Sequence, residues 1–258
     1  MITIDSLLCT SKYCGLREEI VIYQPWGGLG DNLAHTVIPR LCEMNNVKCF
    51  LSHQNVYRNQ QIYEFVWKNN PYLAGMKDGE DISWCDERPD YAKQKYYNEI
   101  QAIQKTHGFE PITEYPEIHY MPSKINKFEG KTIVDLSAYS VGRDISIDLV
   151  KDIMSSYNLK KDETIELTHS QVTYGTAYRV TPENFDREDV NDIFTYSDIL
   201  YSCKRFIALC SGPATLASTI KNKMNTDCNI NILIPQKYLP GTRDGGYTYS
   251  NTHYIQCD

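Results

Sequence analysis

A chain of 258 residues suits one large domain or two small ones and can bury a substantial core. Hydrophobic residues make up 41% and charged residues 23%, the net charge is −7, and no dense run of Lys and Arg occurs, so the basic face of a nucleic-acid binder is missing. No window reaches the roughly 18 apolar residues of a membrane span, Met1 to Ile20 lacks the apolar core of a signal peptide, and the nine Cys are scattered without a C-x-x-C pair, so the expectation is a reduced, cytoplasmic protein with no zinc or redox motif.

The elements then follow in chain order. Ile20 to Tyr23 is a short apolar run, read as the first core strand. A glycine-rich stretch from Pro25 to Asp31 comes next. Asn32 to Met44 carries apolar residues at helical spacing, with Pro39 expected to kink the helix or end its first part. Val47 to Leu51 is the second strand, which completes a βαβ pattern of a parallel sheet. Gln60 to Lys68 and Tyr91 to His107 are further helix candidates, and Asp78 to Pro89 is polar and turn-rich. Pro111, Pro116 and Pro122 punctuate a segment unsuited to helix. The domain boundary is placed at Ser123 to Gly130, which divides the chain into residues 1–125 and 126–258.

Alternation restarts beyond it. Thr132 to Leu136 is a strand, Ser146 to Ser156 a helix capped by Ser146, Thr164 to Thr168 a strand and Val190 to Ser202 a helix. Phe206 to Leu209 is a buried strand, and Ser211-Gly212-Pro213 turns it into a helix running through Asn222. Asn229 to Ile234 is a last strand, and Tyr238 to Ser250 reads as a loop. The fold class is α/β, with two Rossmann-like βαβ domains.

Two loops are suited to chemistry. Trp26-Gly27-Gly28-Leu29-Gly30-Asp31-Asn32 lies between a strand and a helix, where Gly28 and Gly30 allow close approach of a ligand to backbone N–H groups, and Asn32 adds a polar side chain. It lacks the Gly-Lys-Ser/Thr of a P-loop and is not a strict G-x-G-x-x-G. Cys210-Ser211-Gly212-Pro213-Ala214-Thr215 repeats the arrangement in the second half, with Ser211 and Thr215 as hydroxyl donors and Pro213 in the first helical turn. Taken together, the loops suggest a ligand between the halves. Arg143 is a candidate phosphate partner, and His169 ends a strand as a further binding candidate. His35, Arg243 and Asp244 are isolated candidates alongside them.

Gly28-Leu29-Gly30-Asp31-Asn32-Leu33 before Pro39 resembles the opening of glycosyltransferase family 9, the heptosyltransferase-like group of GT-B enzymes. The stretch from Asp192 through Ala217 resembles the same group's C-terminal pattern, in which a strand ends in Asp-Ser-Gly-Pro followed by a His. Here the pattern's Asp falls on Cys210 and its His on Thr215. The resemblance implies a GT-B-like fold, with two Rossmann-like domains facing each other across a cleft. The N-terminal domain would take the acceptor and the C-terminal domain the nucleotide sugar. It also implies transfer of a sugar from a nucleotide-diphosphate donor to a glycan or other hydroxyl acceptor, inverting and metal-independent, with no cofactor. Asp31 would be the general base and the Ser211–Thr215 loop would stabilise the leaving diphosphate. The departures at Cys210 and Thr215 keep open a non-catalytic nucleotide- or sugar-binding protein, and a sugar-nucleotide epimerase or hydrolase is a further alternative.

Overall fold

The structure, a computed structural model, describes residues 17–79, 98–138, 141–169, 178–179, 185–239, 246 and 248–257. The chain divides between His119 and Tyr120 into two compact units.

In the first unit, β1 (Glu19–Ile22) is followed by α1 (Leu29–Ala34), α2 (Ile38–Met44) and β2 (Lys48–Ser52). Then come α3 (Gln60–Val66), β3 (Gly75–Lys77) and α4 (Glu99–Thr106). The strands form a parallel sheet in the order β1-β2-β3, with Val21 paired to Phe50 and Leu51 to Met76. The helix expected over Asn32 to Met44 is two helices. Pro39 sits in the first turn of α2, where its missing N–H costs nothing. In the break, Thr36 Oγ1 donates to Leu33 O at 2.7 Å and accepts from Glu117 N at 2.8 Å. The first helix also starts three residues earlier than Asn32, because extended Gly28 is its N-cap. Of the helix expected over Tyr91 to His107, residues 91–97 lie outside the described residues; α4 starts after Asn98, whose side chain accepts from Gln101 N while Gln101 reaches back to Asn98 N, a reciprocal capping box. Strand β3 was not expected, because its three residues are too few for a periodic signal.

The second unit holds β4 (Thr132–Asp135), β5 (Ser137–Ala138), α5 (Ile147–Ser156), β6 (Thr164–Thr168), β7 (Tyr178–Arg179) and β8 (Asp186–Asp189). They are followed by α6 (Ile193–Ser202), β9 (Arg205–Leu209), α7 (Gly212–Met224), β10 (Asn229–Pro235) and β11 (His253–Cys257). Six strands make one sheet in the order β11-β10-β9-β4-β6-β8, and every pairing is parallel. Numbered from β4 within this sheet, the spatial order is 3-2-1-4-5-6, the doubly-wound Rossmann arrangement. Strands β5 and β7 form a separate antiparallel ribbon. The central strands carry β-branched and Leu side chains buried on both faces, as a helix-covered parallel sheet requires. On one face Val134, Leu136, Ile207, Leu209 and Leu233 pack with Val150 and Met154 of α5.

Two strands of this sheet escaped the sequence reading. Asp186–Asp189 is all charged, and it pairs on one side only, with β6. An edge strand buries little, so it needs no apolar pattern, and charge on an edge discourages pairing with another chain. Strand β11 pairs with β10 alone and is likewise an edge. Helix α6 begins at Ile193 and not Val190, because Asp192 stays extended and its carboxylate caps Thr195 N at 2.8 Å.

Candidate functional site

In the first unit the glycine loop leaves the carboxyl end of β1 and is held by buried polar side chains. Gln24 N donates to Asn55 Oδ1 at 2.7 Å, and Gln24 Oε1 accepts from the N–H groups of Trp26 and Gly27. The loop is stitched to the segment after β2 by Val56 N to Gln24 O and Arg58 N to Gly27 O, both 2.9 Å. Gly27 has φ +71°, and a Cβ there would lie 2.8 Å from Val56 Cγ1, so this position demands glycine on two counts. Gly28 caps α1, and a Cβ on it would collide with the Asp31 carboxylate. Gly30 lies within α1 itself.

Asp31 is the third residue of α1, and its Oδ2 accepts from Gly28 N at 3.0 Å. That is half of a capping box, the half that a glycine N-cap leaves possible. Burial raises the Asp31 carboxyl above its ordinary value, although the Arg58 guanidinium and the Gly28 N–H both work to lower it. A six-residue helix has a small dipole, and desolvation of a carboxylate outweighs it.

Asn32, expected among the binding residues, points into the interior. Its Oδ1 accepts from Trp67 Nε1 at 2.8 Å and Asn55 Nδ2 at 3.2 Å. Its Nδ2 donates to Gly28 O at 2.9 Å and Val56 O at 3.4 Å. An amide has two donors and two acceptor positions, and all four are used here. His35 is likewise buried, with Nδ1 against Asp31 O at 3.0 Å and its ring edge-on to His107. Burial, and after it the neighbouring His107, push its pKa down to about 4, which keeps it neutral. Two residues beside Asp31 were missed from sequence. Arg58 supplies the nearby cation, and Trp26 exposes 42% of its surface from the same loop. Neither carries a local signal, because Arg58 reaches the loop through backbone pairing that only the fold creates.

In the second unit the strand order reverses between β4 and β9, which is where ligands of doubly-wound sheets sit, outside the carboxyl ends of the strands. The residues there are Asp135 at the end of β4 and Ser211-Gly212 after β9. Ser211 is the N-cap of α7, yet its hydroxyl bonds Leu209 O at 3.2 Å and caps nothing. Gly212 opens the 13-residue α7, followed by Pro213 with no N–H to give. Thr215 accepts from Tyr249 OH at 3.3 Å, a tie between α7 and the segment before β11. Arg143 falls in a 3-10 turn, Val141–Asp144, and its side chain lies outside the described residues, as do Arg243 and Asp244. The neighbouring Gly142 was not singled out from sequence. A Cβ there would lie 2.7 Å from Leu209 Cβ and 2.8 Å from Ala138 Cβ, so glycine alone lets this turn pack against the end of β9.

His169 follows β6 and is part of a buried cluster. Its Nε2 lies 3.0 Å from Asp135 Oδ2 and its Nδ1 2.7 Å from Val190 O. Asp135 also accepts from Tyr196 OH at 2.7 Å and from both the N–H, at 3.1 Å, and the hydroxyl of Ser137. Complete burial works to raise the Asp135 carboxyl, but the His169 hydrogen bond and charge, with Ser137 and Tyr196, hold it below its ordinary value. Sequence reasoning named His169 and missed Asp135, which reads as an unremarkable strand end.

No protein-family model and no curated protein matches this chain. Solved structures do. The iron-containing dodecameric glycosyltransferase TibC from enterotoxigenic E. coli H10407 is similar over 89% of this chain, at 12% identity and a TM-score of 0.57. The TibC heptosyltransferase in complex with ADP-D-beta-D-heptose gives a TM-score of 0.58 at 12% identity over 89% of this chain. A glycosyl transferase family 9 structure from Veillonella parvula DSM 2008 is similar over 95% of this chain and 87% of its own, at 9% identity and a TM-score of 0.53. The chain therefore has the fold of these glycosyltransferases, and it spans 62% of TibC's length.

TibC also corrects the expectation of no cofactor, since that protein is described as iron-containing. Among the described residues, no group of three or more His, Cys, Asp or Glu is arranged to hold a metal ion, so the described residues do not fit an iron centre.

Three outcomes follow from this geometry. Asn32→Ala removes four side-chain hydrogen bonds from the interior and is expected to cost about 3 kcal/mol in urea unfolding. His35 has a folded pKa below its unfolded value near 6.5, so its contribution is present above that pH and is lost as pH falls toward about 4. The loss is about 3 kcal/mol, and His35→Gln should flatten the stability curve across that window. Asp135 also has a lowered pKa, so its contribution is present above about 3.8 and is lost as pH falls through the folded value. Asp135→Asn should therefore flatten the curve below pH 4 and leave the His35 window in place.

Proposed function

We propose that this chain is a glycosyltransferase that moves a sugar from a nucleotide-diphosphate donor to a hydroxyl of a glycan or glycoconjugate. The observation that carries this reading is the doubly-wound 3-2-1-4-5-6 sheet, with a glycine opening a 13-residue helix at its switch point, in a fold shared with a transferase whose complex holds ADP-D-beta-D-heptose. Residues 126–258 are the nucleotide side and residues 1–125 the acceptor side. The absence of disulfides among the described cysteines fits work in a reducing, cytoplasmic compartment.

Each part has a physical role. The Gly212 N–H and the positive end of α7 stabilise the diphosphate, with Ser211, Thr215 and Arg143 as polar partners. Asp31 takes the proton of the acceptor hydroxyl as that oxygen attacks the anomeric carbon. The bond from that carbon to the diphosphate oxygen breaks, the nucleoside diphosphate leaves with the electron pair, and the anomeric configuration inverts. A carboxylate raised by burial is a better base than an exposed one, since catalytic groups work best when their pKa lies near the operating pH.

The reading is tested by thermal shift against ADP, GDP and UDP and their sugars, where a ligand at 100 times its Kd adds about 2.7 kcal/mol. Release of nucleoside diphosphate only when an acceptor is added supports transfer, whereas binding without turnover overturns it in favour of a carrier. Asp31→Asn keeps an oxygen to accept from Gly28 N, so stability and donor affinity should change little while turnover falls ~10²–10⁴-fold. A near wild-type rate reduces Asp31 to a helix cap. Gly142→Val forces the 141–144 turn off the end of β9 and should weaken nucleoside diphosphate binding about tenfold or more in calorimetry. Unchanged affinity removes that turn from the nucleotide site.

A further inference from the structure

The Asp135 cluster has a property that its location turns into function. Both ring nitrogens of His169 face oxygens. Val190 O, 2.7 Å from Nδ1, is a carbonyl and only accepts, so Nδ1 carries a proton. Asp135 Oδ2, 3.0 Å from Nε2, belongs to a carboxylate that already accepts from Tyr196 OH, Ser137 N and the Ser137 hydroxyl. A carboxyl surrounded by donors is an acceptor, so Nε2 carries a proton as well. With two N–H donors the ring is an imidazolium.

The groups around it agree with that charge. From β4 comes Asp135, with a fully buried side chain. From α6 comes Tyr196, whose ring centroid is 5.6 Å away. From β8 comes Asp189, which accepts from Thr168 Oγ1 at 3.0 Å, one residue before His169. The neighbouring Glu188 is paired with Lys127. Among the described residues Asp135 is a carboxylate in direct contact with the ring, and removal of the ring proton leaves it buried without that positive partner.

The cluster also sits at a particular edge. Asp135 ends β4, which lies between β9, whose end leads to Ser211-Gly212, and β6, whose end leads to His169. The side chain of His169 keeps 21% of its surface exposed there, whereas that of Asp135 keeps none. We infer that Asp135 and Tyr196 are positioning residues that hold His169 as a permanent imidazolium at the nucleotide edge of this sheet, so that a buried carboxylate beside the switch point does not repel a diphosphate. This rests on the reading of the second unit as the nucleotide side. The two ring protons are spent inside the protein, so His169 acts through its charge and not as a hydrogen-bond donor to the ligand. The inference differs from the simple expectation that His169 touches substrate.

Charge states and binding test it separately. In the wild-type protein, the ring nitrogens of His169 should show the nitrogen-15 shifts of an imidazolium at pH 7, assigned by the signal that His169→Gln removes. A neutral tautomer at pH 7 overturns the inference without any ligand. In calorimetry with ADP, GDP and UDP, His169→Gln leaves Asp135 without its positive partner and should weaken the nucleotide that the wild type binds by about tenfold. The double variant Asp135→Asn with His169→Gln removes both charges and should restore affinity to within about threefold of wild type. A purely structural role predicts the opposite, since a second lesion in the cluster would add to the first. Unchanged affinity in His169→Gln, or no rescue in the double variant, overturns the inference and leaves the proposed function standing. No binding of any of the three nucleotides by the wild type overturns both.

Discussion

The amide of Asn32 is the interaction on which the first unit depends. It is a polar group at the centre of a core, and such a group costs free energy unless every position is matched. Here its oxygen takes protons from Trp67 and Asn55, while its nitrogen gives protons to Gly28 and Val56. Four segments of the chain thereby meet at one side chain. The glycine loop, the start of α1, the stretch after β2 and the residue closing α3 are fixed to each other. Asn55 in turn accepts from Gln24, and Gln24 holds the turn at Trp26 and Gly27. The conformation of the loop is set by this network more than by the glycines, of which Gly27 alone requires a positive φ within the loop.

The same packing decides the character of Asp31. A carboxylate in the first turn of a helix is ordinarily stabilised in its charged form. In this loop the short helix gives little dipole, and closure of the loop takes the carboxylate out of water. Burial then wins over Arg58 and the Gly28 N–H. Capping and proton transfer are compatible for this side chain. The bond to Gly28 N orients it, while the raised pKa suits the proton-accepting role that the proposed function gives it.

In the second unit the equivalent constraint is charge and not an amide. A fully buried Asp135 ends the central strand, and four donated hydrogen bonds with one neighbouring ring keep it ionised. The small residues at the switch point serve a different end. Gly142 lets one turn lie against Leu209, and Gly212 opens α7 ahead of Pro213. The ends of β4 and β9 thus combine a turn packed tightly through Gly142 with an ionised carboxylate held by hydrogen bonds.

Much of this was legible along the chain. The strands at Ile20, Lys48, Thr132, Thr164, Phe206 and Asn229 are short runs of β-branched and apolar residues bounded by turns, and burial on both faces needs little more. The cap at Ser146 is a local hydrogen bond, and the break before Pro39 is a local backbone effect. Asp31 and the Ser211-Gly212 turn stood out because glycines between a strand and a helix leave backbone N–H groups open to a ligand, and the arrangement occurs in both halves. The charged edge strand β8 did not, because an edge is paired by backbone atoms that any side chain leaves available. Arg58, Asp135, Gly142 and Tyr196 were invisible for a common reason: each matters through a partner distant in sequence, as Tyr196 does to Asp135 across 61 residues. Local sequence fixes caps, turns and periodicity within a few residues. Whether Asn32 meets a ligand or Trp67, and whether Asp31 is solvated or buried, was decided by tertiary structure, because the parallel pairing of β1 with β2, the backbone bonds of Val56 and Arg58 to the loop and the packing of α3 join segments distant in sequence.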